Sequence, residues 1–535
     1  MQLNGRNIPW LNLSQLVIDK SAQHGDKIFA VIDGRELSYR ELESASLKVA
    51  LNLLAIGVVK GDRVATLIFN CVEQVIMCFG AARMGGVWTP LNAGLGDADL
   101  DHTLRDSGAR VLIADAESRP KVDRLDEALR IQISVFCIDD ATGSYPAFSE
   151  LLRDPESGSE LPEVGPGDPA LILYTGGTTG LPKGVVTPGL SLILAGIRYA
   201  EAFTVKPGER HFTTGPLFHA LAIHVALMGP LMSDMTTVID RRFSLSRYWQ
   251  RVRETRANVI DPVGSVVTML CNQLSDDSDR EHNVRVSIGI VNQIPLEIPD
   301  IFKKRFGIPM IDVYGLTEGG GALLTTNRLD SYVPGSNGKP HGWIEIRIVD
   351  DNDFPLPPNE VGQILIRPLF PHLGMICYHN SQAKTLESMR DLWLHTGDIG
   401  RVDENGNLYF QGRKAHWLRR RGENISAYEI EAILGGHPSI AEVVVVGVLA
   451  DVGEDDIKAF IILKPGPRPD ETSIVQWCSG RIAPFKVPRY FEFVDDFPRS
   501  ITKREIERSV LKKMSNANAW DREREMGRLS GQSAR

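Results

Sequence analysis

A chain of 535 residues is longer than one simple core supports, so two or more domains are expected. Its 43% hydrophobic and 24% charged residues exclude a largely disordered chain. A formal charge of -9 excludes a general nucleic-acid binder, which needs a basic excess to displace counterions, so any anionic ligand must be held by local groups.

The N-terminus, "MQLNGRNIPW", lacks a basic segment followed by an apolar run, so no signal peptide is expected. No apolar stretch approaches ~18 residues, so no membrane span is expected and the expected location is cytoplasmic. "RVATLIFN" (63–70) reads as a buried strand, and "CVEQVIMCFGAARMGG" (71–86) as the helix after it, stopped by paired glycines. "ARVLIAD" (109–115) is another strand after a polar helix, and this alternation predicts parallel sheets covered by helices. Residues 157–170 read as a surface linker of Pro, Gly and acids. From Gly338 the texture changes to short strands in "WIEIRIVDDND", "VGQILIRP" and "GNLYFQGR", which predict a small β-rich subdomain. After that, "SAYEIEAILGGH", "IAEVVVVGVL" and "AFIILKPG" predict a compact α+β unit. The expected fold is therefore α/β. A large N-terminal domain, 1–412, is followed by a small mobile C-terminal domain, 413–535. The six cysteines are scattered, without CxxC or metal-ligand spacing, which predicts free thiols.

One stretch stands apart. "LILYTGGTTGLPKGVV" (171–186) runs from a buried strand into four Gly, three Thr and one Lys between Thr175 and Gly184. Glycine lets several backbone N–H groups point at one anion, hydroxyls add donors, and Lys183 adds a charge. That chemistry is a phosphate cradle, although the order GxxxxGK[ST] of a Walker loop is absent. "DVYGLTEGGG" (312–321) offers a Tyr ring for a purine and Glu318 for a magnesium ion bridging phosphates. "WLHTGDIG" (393–400) offers Asp398 to the hydroxyls of a ribose. "GRKAHWLRRRGENISAYEIE" (412–431) is basic, and its plain reading is a solvated turn capped by Asn424 and Ser426 before a helix. Each of these alone could be structural.

Together, in this order and spacing, they resemble the AMP-forming adenylating superfamily of acyl-CoA synthetases, peptide-synthetase adenylation domains and firefly luciferase. "YTGGTTGLPKGV" is similar to its phosphate loop, and "YGLTE", "TGD", "GRK" and "RGENIS" followed by "EIE" to its later motifs. Within the superfamily, "HWLRRRGENIS" and "AWDRERE" resemble acyl-CoA synthetases of the crotonobetaine/carnitine–CoA ligase kind. The resemblance implies a two-step reaction. A carboxylate attacks ATP to give an acyl-adenylate and pyrophosphate, and coenzyme A then takes the acyl group. Magnesium serves the phosphates. It also implies a hinge between the domains, near 413–416.

By the same resemblance, Thr175, Gly176, Gly177, Thr178, Thr179, Gly180 and Lys183 hold the phosphates. Tyr314 and Gly315 meet the adenine, Asn292 stands at a further adenine contact, and Thr317 touches the α-phosphate. Glu318 carries magnesium, Asp398 and Arg413 meet the ribose, and Gly422 approaches the pantetheine arm. His219, in "GPLFHALAIH", becomes a gate or pocket residue. An acyl pocket of His219, Ala222, His224 and Gly319 to Gly321 is expected to be mixed in polarity and roomy on the glycine side. "FPRSITKREIE" (497–507) resembles the PRTxTGK segment, but counting from Pro498 puts Arg504 in the lysine position and Lys503 one residue earlier. Either cation could join the carboxylate to the α-phosphate. Gly176, Ala222 and Ala415 also depart from the usual pattern. Two alternatives stay open: a stand-alone enzyme loading a carrier protein, and a degenerate nucleotide-binding relative. A homodimer is a further expectation.

Overall fold

The computed structural model describes residues 2–3, 6–139, 142–155, 160–177, 180–289, 298–420, 423–449, 455–499 and 506–525. The strands Arg63–Leu67, Val87–Pro90, Ala109–Asp115 and Ser134–Ile138 lie parallel. Parallel neighbours require a crossover, and the helix Val72–Arg83 supplies one. All of its residues are buried, as an almost uniformly apolar helix demands. It packs on the helix Tyr39–Ala55, where Gly80 permits close contact: a Cβ there would stand 2.6 Å from Val49 Cγ1. The helix ends where the sequence suggests, with Gly85 at φ 69 and its N–H on the carbonyl of Ala82.

Among the described residues this sheet has seven strands. Its far edge is formed by the antiparallel pair Pro169–Gly177 and Gly180–Pro188 and by the short strand Cys377–Tyr378. A second sheet has nine strands, with a parallel interior and antiparallel edges. Its strand Met310–Leu316 turns back into Gly321–Thr326 through the short turn Thr317–Gly319. The predicted β-rich subdomain is a five-stranded antiparallel sheet that includes Ile344–Val349, Gly362–Pro368, Trp393–Val402 and Leu408–Arg413.

Beyond it, the helix Ala427–Gly435 packs on a four-stranded sheet that contains Ile440–Leu449, Asp455–Leu463 and Tyr490–Phe493. Two buried hydrophobic clusters of this part, one around Ile430, Ile457 and Phe491 and one around Val446 and Phe460, contain no residue before Leu418. The large α/β part and the smaller C-terminal α+β part thus each have their own core. Ser426 precedes its helix as expected, but its Oγ donates to the Gln411 carbonyl at 2.9 Å and does not cap. None of the six cysteines is in a disulfide. No described helix is long and apolar enough to cross a membrane.

Candidate active site

The glycine- and threonine-rich stretch is less of a loop than its composition suggests. Thr175 lies in one strand and Lys183 in the next, paired directly opposite each other, and Gly177 pairs with Gly180. The pairing slips between Gly180 and Lys183, next to Pro182, which has no N–H for the ladder. Lys183 is therefore a strand residue with a fixed base, a correction to the expected free loop. Its Nζ lies 5.3 Å from the centre of the Tyr378 ring. The Tyr378 hydroxyl donates to Glu318 Oε1 at 2.9 Å. Tyr378 thus links the hairpin's cation to the carboxylate of the "YGLTE" turn. Sequence reasoning missed it, because a single Tyr carries no pattern.

Glu318 sits in the turn Thr317–Gly319, just past the strand that carries Tyr314 and Gly315. Its carbonyl accepts from the Met375 N–H at 2.9 Å, which fixes the turn against the segment before Cys377–Tyr378. Tyr314 is only 4% exposed, and its hydroxyl donates to Asp398 Oδ2 at 2.8 Å. The register of the third sheet sets Asp398 opposite Arg413, whose Nε lies 2.9 Å from Oδ1. Burial raises the Asp398 carboxyl above the usual range, against the pull of Arg413 and the Tyr314 hydroxyl, and the charge of Glu318 adds to the rise. Burial and Asp398 together push the Tyr314 phenol well above its ordinary value. Four of the expected residues, Tyr314, Glu318, Asp398 and Arg413, are thus brought together electrostatically. The Tyr314 ring is packed, 5.8 Å from Phe410, and both Asp398 oxygens are engaged by protein groups.

His219 stands with its ring 4.7 Å from Phe218, edge to face. It lines one cavity with Tyr174 and Pro182 of the hairpin and with Asn92, so it neighbours the phosphate-loop stretch. The glycine side of the expected acyl pocket is not roomy. A Cβ on Gly319 would stand 2.5 Å from Leu324 Cδ1, and one on Gly320 would stand 2.6 Å from the Gly374 nitrogen and from Ser191 Oγ. These glycines serve close packing, and Gly320 also needs its φ of 78. Ala222 and His224 are buried in a π-helical stretch, Ala222–Met228.

Thr178, Thr179, Asn292, Gly422, Lys503 and Arg504 lie outside the described residues. Ala415 belongs to the short turn Lys414–His416. Among the described residues no three His, Cys, Asp or Glu side chains cluster as a metal site. A single carboxylate is nevertheless what magnesium takes from a protein when phosphates and water complete its octahedron. Glu318 fits that role, half-exposed and with Oε1 steadied by Tyr378.

Comparison with known proteins gives the family. Residues 18–370 match the AMP-binding enzyme family, and residues 429–504 match the AMP-binding enzyme C-terminal domain. A crotonobetaine/carnitine–CoA ligase of Salmonella typhi is 30% identical over 510 residues, covering 93% of this chain and 98% of that protein. The structure of ATP-bound MatB from Rhodopseudomonas palustris superposes with a TM-score of 0.84 at 25% identity, over 94% of this chain and 98% of that one. An anthranilate CoA ligase, AuaEII, solved with anthranoyl-AMP, shares the fold with a TM-score of 0.86 at 24% identity, over 96% and 98% of the two chains. The chain belongs to the AMP-binding enzyme family and is an AMP-forming carboxylate–CoA ligase.

Proposed function

We propose that adenylation is carried by the two carboxylates Glu318 and Asp398, with Lys183 and Tyr378 between hairpin and turn. The observation that supports this most directly is the path from Lys183 over the Tyr378 ring to Glu318. It connects a phosphate-binding cation to a magnesium-binding carboxylate. The enzyme uses ATP, magnesium and CoA. Lys183, with Thr175, Thr178, Thr179 and the backbone of Gly176, Gly177 and Gly180, takes the phosphates. Thr317 faces the α-phosphate, and Tyr314, Gly315 and Asn292 flank the adenine. Asp398 receives the ribose hydroxyls in place of the Tyr314 hydroxyl or Arg413, which now occupy it. Glu318 would hold magnesium, which would supply positive charge against the phosphates. His219 borders the entry between the hairpin and the acyl side, Gly422 lies along the pantetheine arm, and Lys503 or Arg504 joins the carboxylate to the α-phosphate. A division at 412/413, a homodimeric state and a cytoplasmic location complete the reading.

The experiment is pyrophosphate release from ATP and magnesium across a panel of carboxylates that includes crotonobetaine and carnitine. The expected outcome is turnover with at least one acid, and a thioester once CoA is added. Turnover without thioester would favour the carrier-protein reading, and no turnover the degenerate one. Lys503→Ala and Arg504→Ala, tested separately, should differ, with one losing adenylation and retaining thioester formation from supplied acyl-adenylate.

A further inference from the structure

Asp106 sits in the last turn of the helix Asp97–Ser107, where a carboxylate opposes the negative end of the helix dipole. The helix end does not need it as a cap. Gly108 closes the helix at φ 58, and Arg63 donates to the carbonyls of Ser107 and Gly108 at 2.6 and 2.8 Å. The adjacent Arg105 turns to Asp101 and Asp126 instead, at 2.7 and 3.3 Å. What the Asp106 carboxylate meets is the Tyr174 hydroxyl, which donates to Oδ2 at 2.6 Å. Local preference does not put an acid here, so the contact with Tyr174 is where its use is to be sought.

Tyr174 belongs to the first strand of the phosphate hairpin and pairs directly opposite Gly184, the residue after Lys183. Gly184 makes room for the ring: a Cβ there would stand 3.2 Å from Tyr174 Cζ and 3.2 Å from His379 Cβ. Burial raises the Tyr174 phenol above its ordinary value and Asp106 adds to the rise, so the hydroxyl remains a donor at neutral pH. Asp106 also reaches the other flank of the site. Its carbonyl accepts from Asn380 Nδ2 at 2.7 Å, and Asn380 lies two residues beyond Tyr378. Between them, the His379 N–H donates to the Gly184 carbonyl at 2.7 Å. The same helix supplies Thr103 to the cavity that Tyr174, Pro182 and His219 line.

Asp106 therefore bonds to both flanks of the path that runs from Lys183 over Tyr378 to Glu318. Lys183 is one position from Gly184, and Glu318 takes its orientation from Tyr378, so a shift of either flank changes the distance between cation and carboxylate. Resting on the adenylation reading above, we propose that Asp106 is a positioning residue: it ties the phosphate hairpin and the Tyr378 strand to one helix, and so sets the spacing that receives the β- and γ-phosphates of ATP. Its side chain acts on the hairpin and its backbone on the Tyr378 strand, so a side-chain substitution loosens the hairpin alone. AMP lacks those two phosphates. It is held by the groups around Tyr314 and Asp398 and does not sense the clamp.

The test measures binding of magnesium–ATP and of AMP by calorimetry, with melting temperature as the check on folding. Asp106→Ala and Tyr174→Phe each remove the bond. Each should weaken ATP binding by about tenfold or more, the scale of a hydrogen bond to a charged group, with AMP unchanged. The double variant should bind ATP no more weakly than the weaker single one, because both substitutions break one interaction. Asp106→Asn keeps an acceptor oxygen and should restore most of the affinity. Unchanged ATP binding in the folded variants would overturn the inference and leave the adenylation reading standing. So would an equal loss of ATP and AMP, losses that add in the double variant, or an Asp106→Asn no better than Asp106→Ala. Tyr174→Phe decides the matter if Asp106→Ala does not fold. No ATP binding by the unmodified protein would overturn the adenylation reading, and this inference with it.

Discussion

Glu318 shows how much one side chain depends on a neighbour that the sequence hides. Its Oε1 is held by the Tyr378 hydroxyl, 60 positions further along the chain, and its backbone by Met375. The carboxylate is thus oriented before any ligand arrives. Glu318→Gln keeps the size and the Tyr378 bond but removes the charge that a hard cation needs. The expected outcome is a higher apparent magnesium requirement and a rate lower by roughly tenfold or more, the usual scale for weakening a metal site. Titrating magnesium at saturating ATP checks this, and an unchanged magnesium curve would remove Glu318 from the metal site. Glu318, Asp398 and Lys183 were legible because each sits in a dense local pattern. Tyr378 and Arg198 were not, since one Tyr and one Arg in apolar surroundings read as packing. Their meaning comes from partners 60 and 122 positions away.

The run Ala222–Met228 was expected to place His224 with His219 in an acyl pocket of mixed polarity. It forms a π-helical stretch that buries His224 beside Arg198. The folded state holds His224 at about 3, below the 6.5 of an unhindered imidazole. Between these values the unfolded chain binds the proton and the folded one does not, so stability falls as pH drops below about 6.5. His341 adds to the same slope. His224→Gln removes one of these sites, so its melting temperature should fall less steeply than that of the unmodified enzyme between about pH 7 and pH 5. Parallel curves would show that His224 is protonated in the folded state. The hairpin Pro169–Gly177 and Gly180–Pro188 makes the complementary point. Its composition announced phosphate chemistry, but pairing across the two strands, a non-local event, determined that Lys183 is anchored.

For the molecule as a whole, the hydrophobic clusters after Leu418 share no residue with those of the large α/β part. The short turn Lys414–His416 joins the strand Leu408–Arg413 to the C-terminal part, and Lys414 is tied to Asp351 at 2.8 Å. If the C-terminal part turns about this connection between adenylation and thioester formation, a fixed φ there favours one arrangement. Ala415→Pro locks φ near ~-65°. It should slow one half-reaction about tenfold more than the other, measured as pyrophosphate release against thioester formation from supplied acyl-adenylate. Equal effects on both would place the pivot elsewhere.

By itself the sequence determined the alternation of strands and helices, the change to a β-rich texture after Gly338, the family and the reaction. Each of these is written in local periodicity or in short runs whose residues act on one ligand. The tertiary structure alone decided that Asp398 meets Tyr314 and Arg413, that Tyr378 joins Glu318 to Lys183, and that Gly319 to Gly321 are spacers and not room. It also decided that Arg198 is buried without a counter-charge among the described residues. The reason is physical: a side chain's charge state and free donors are set by whatever the fold packs around it, and those neighbours come from distant parts of the chain.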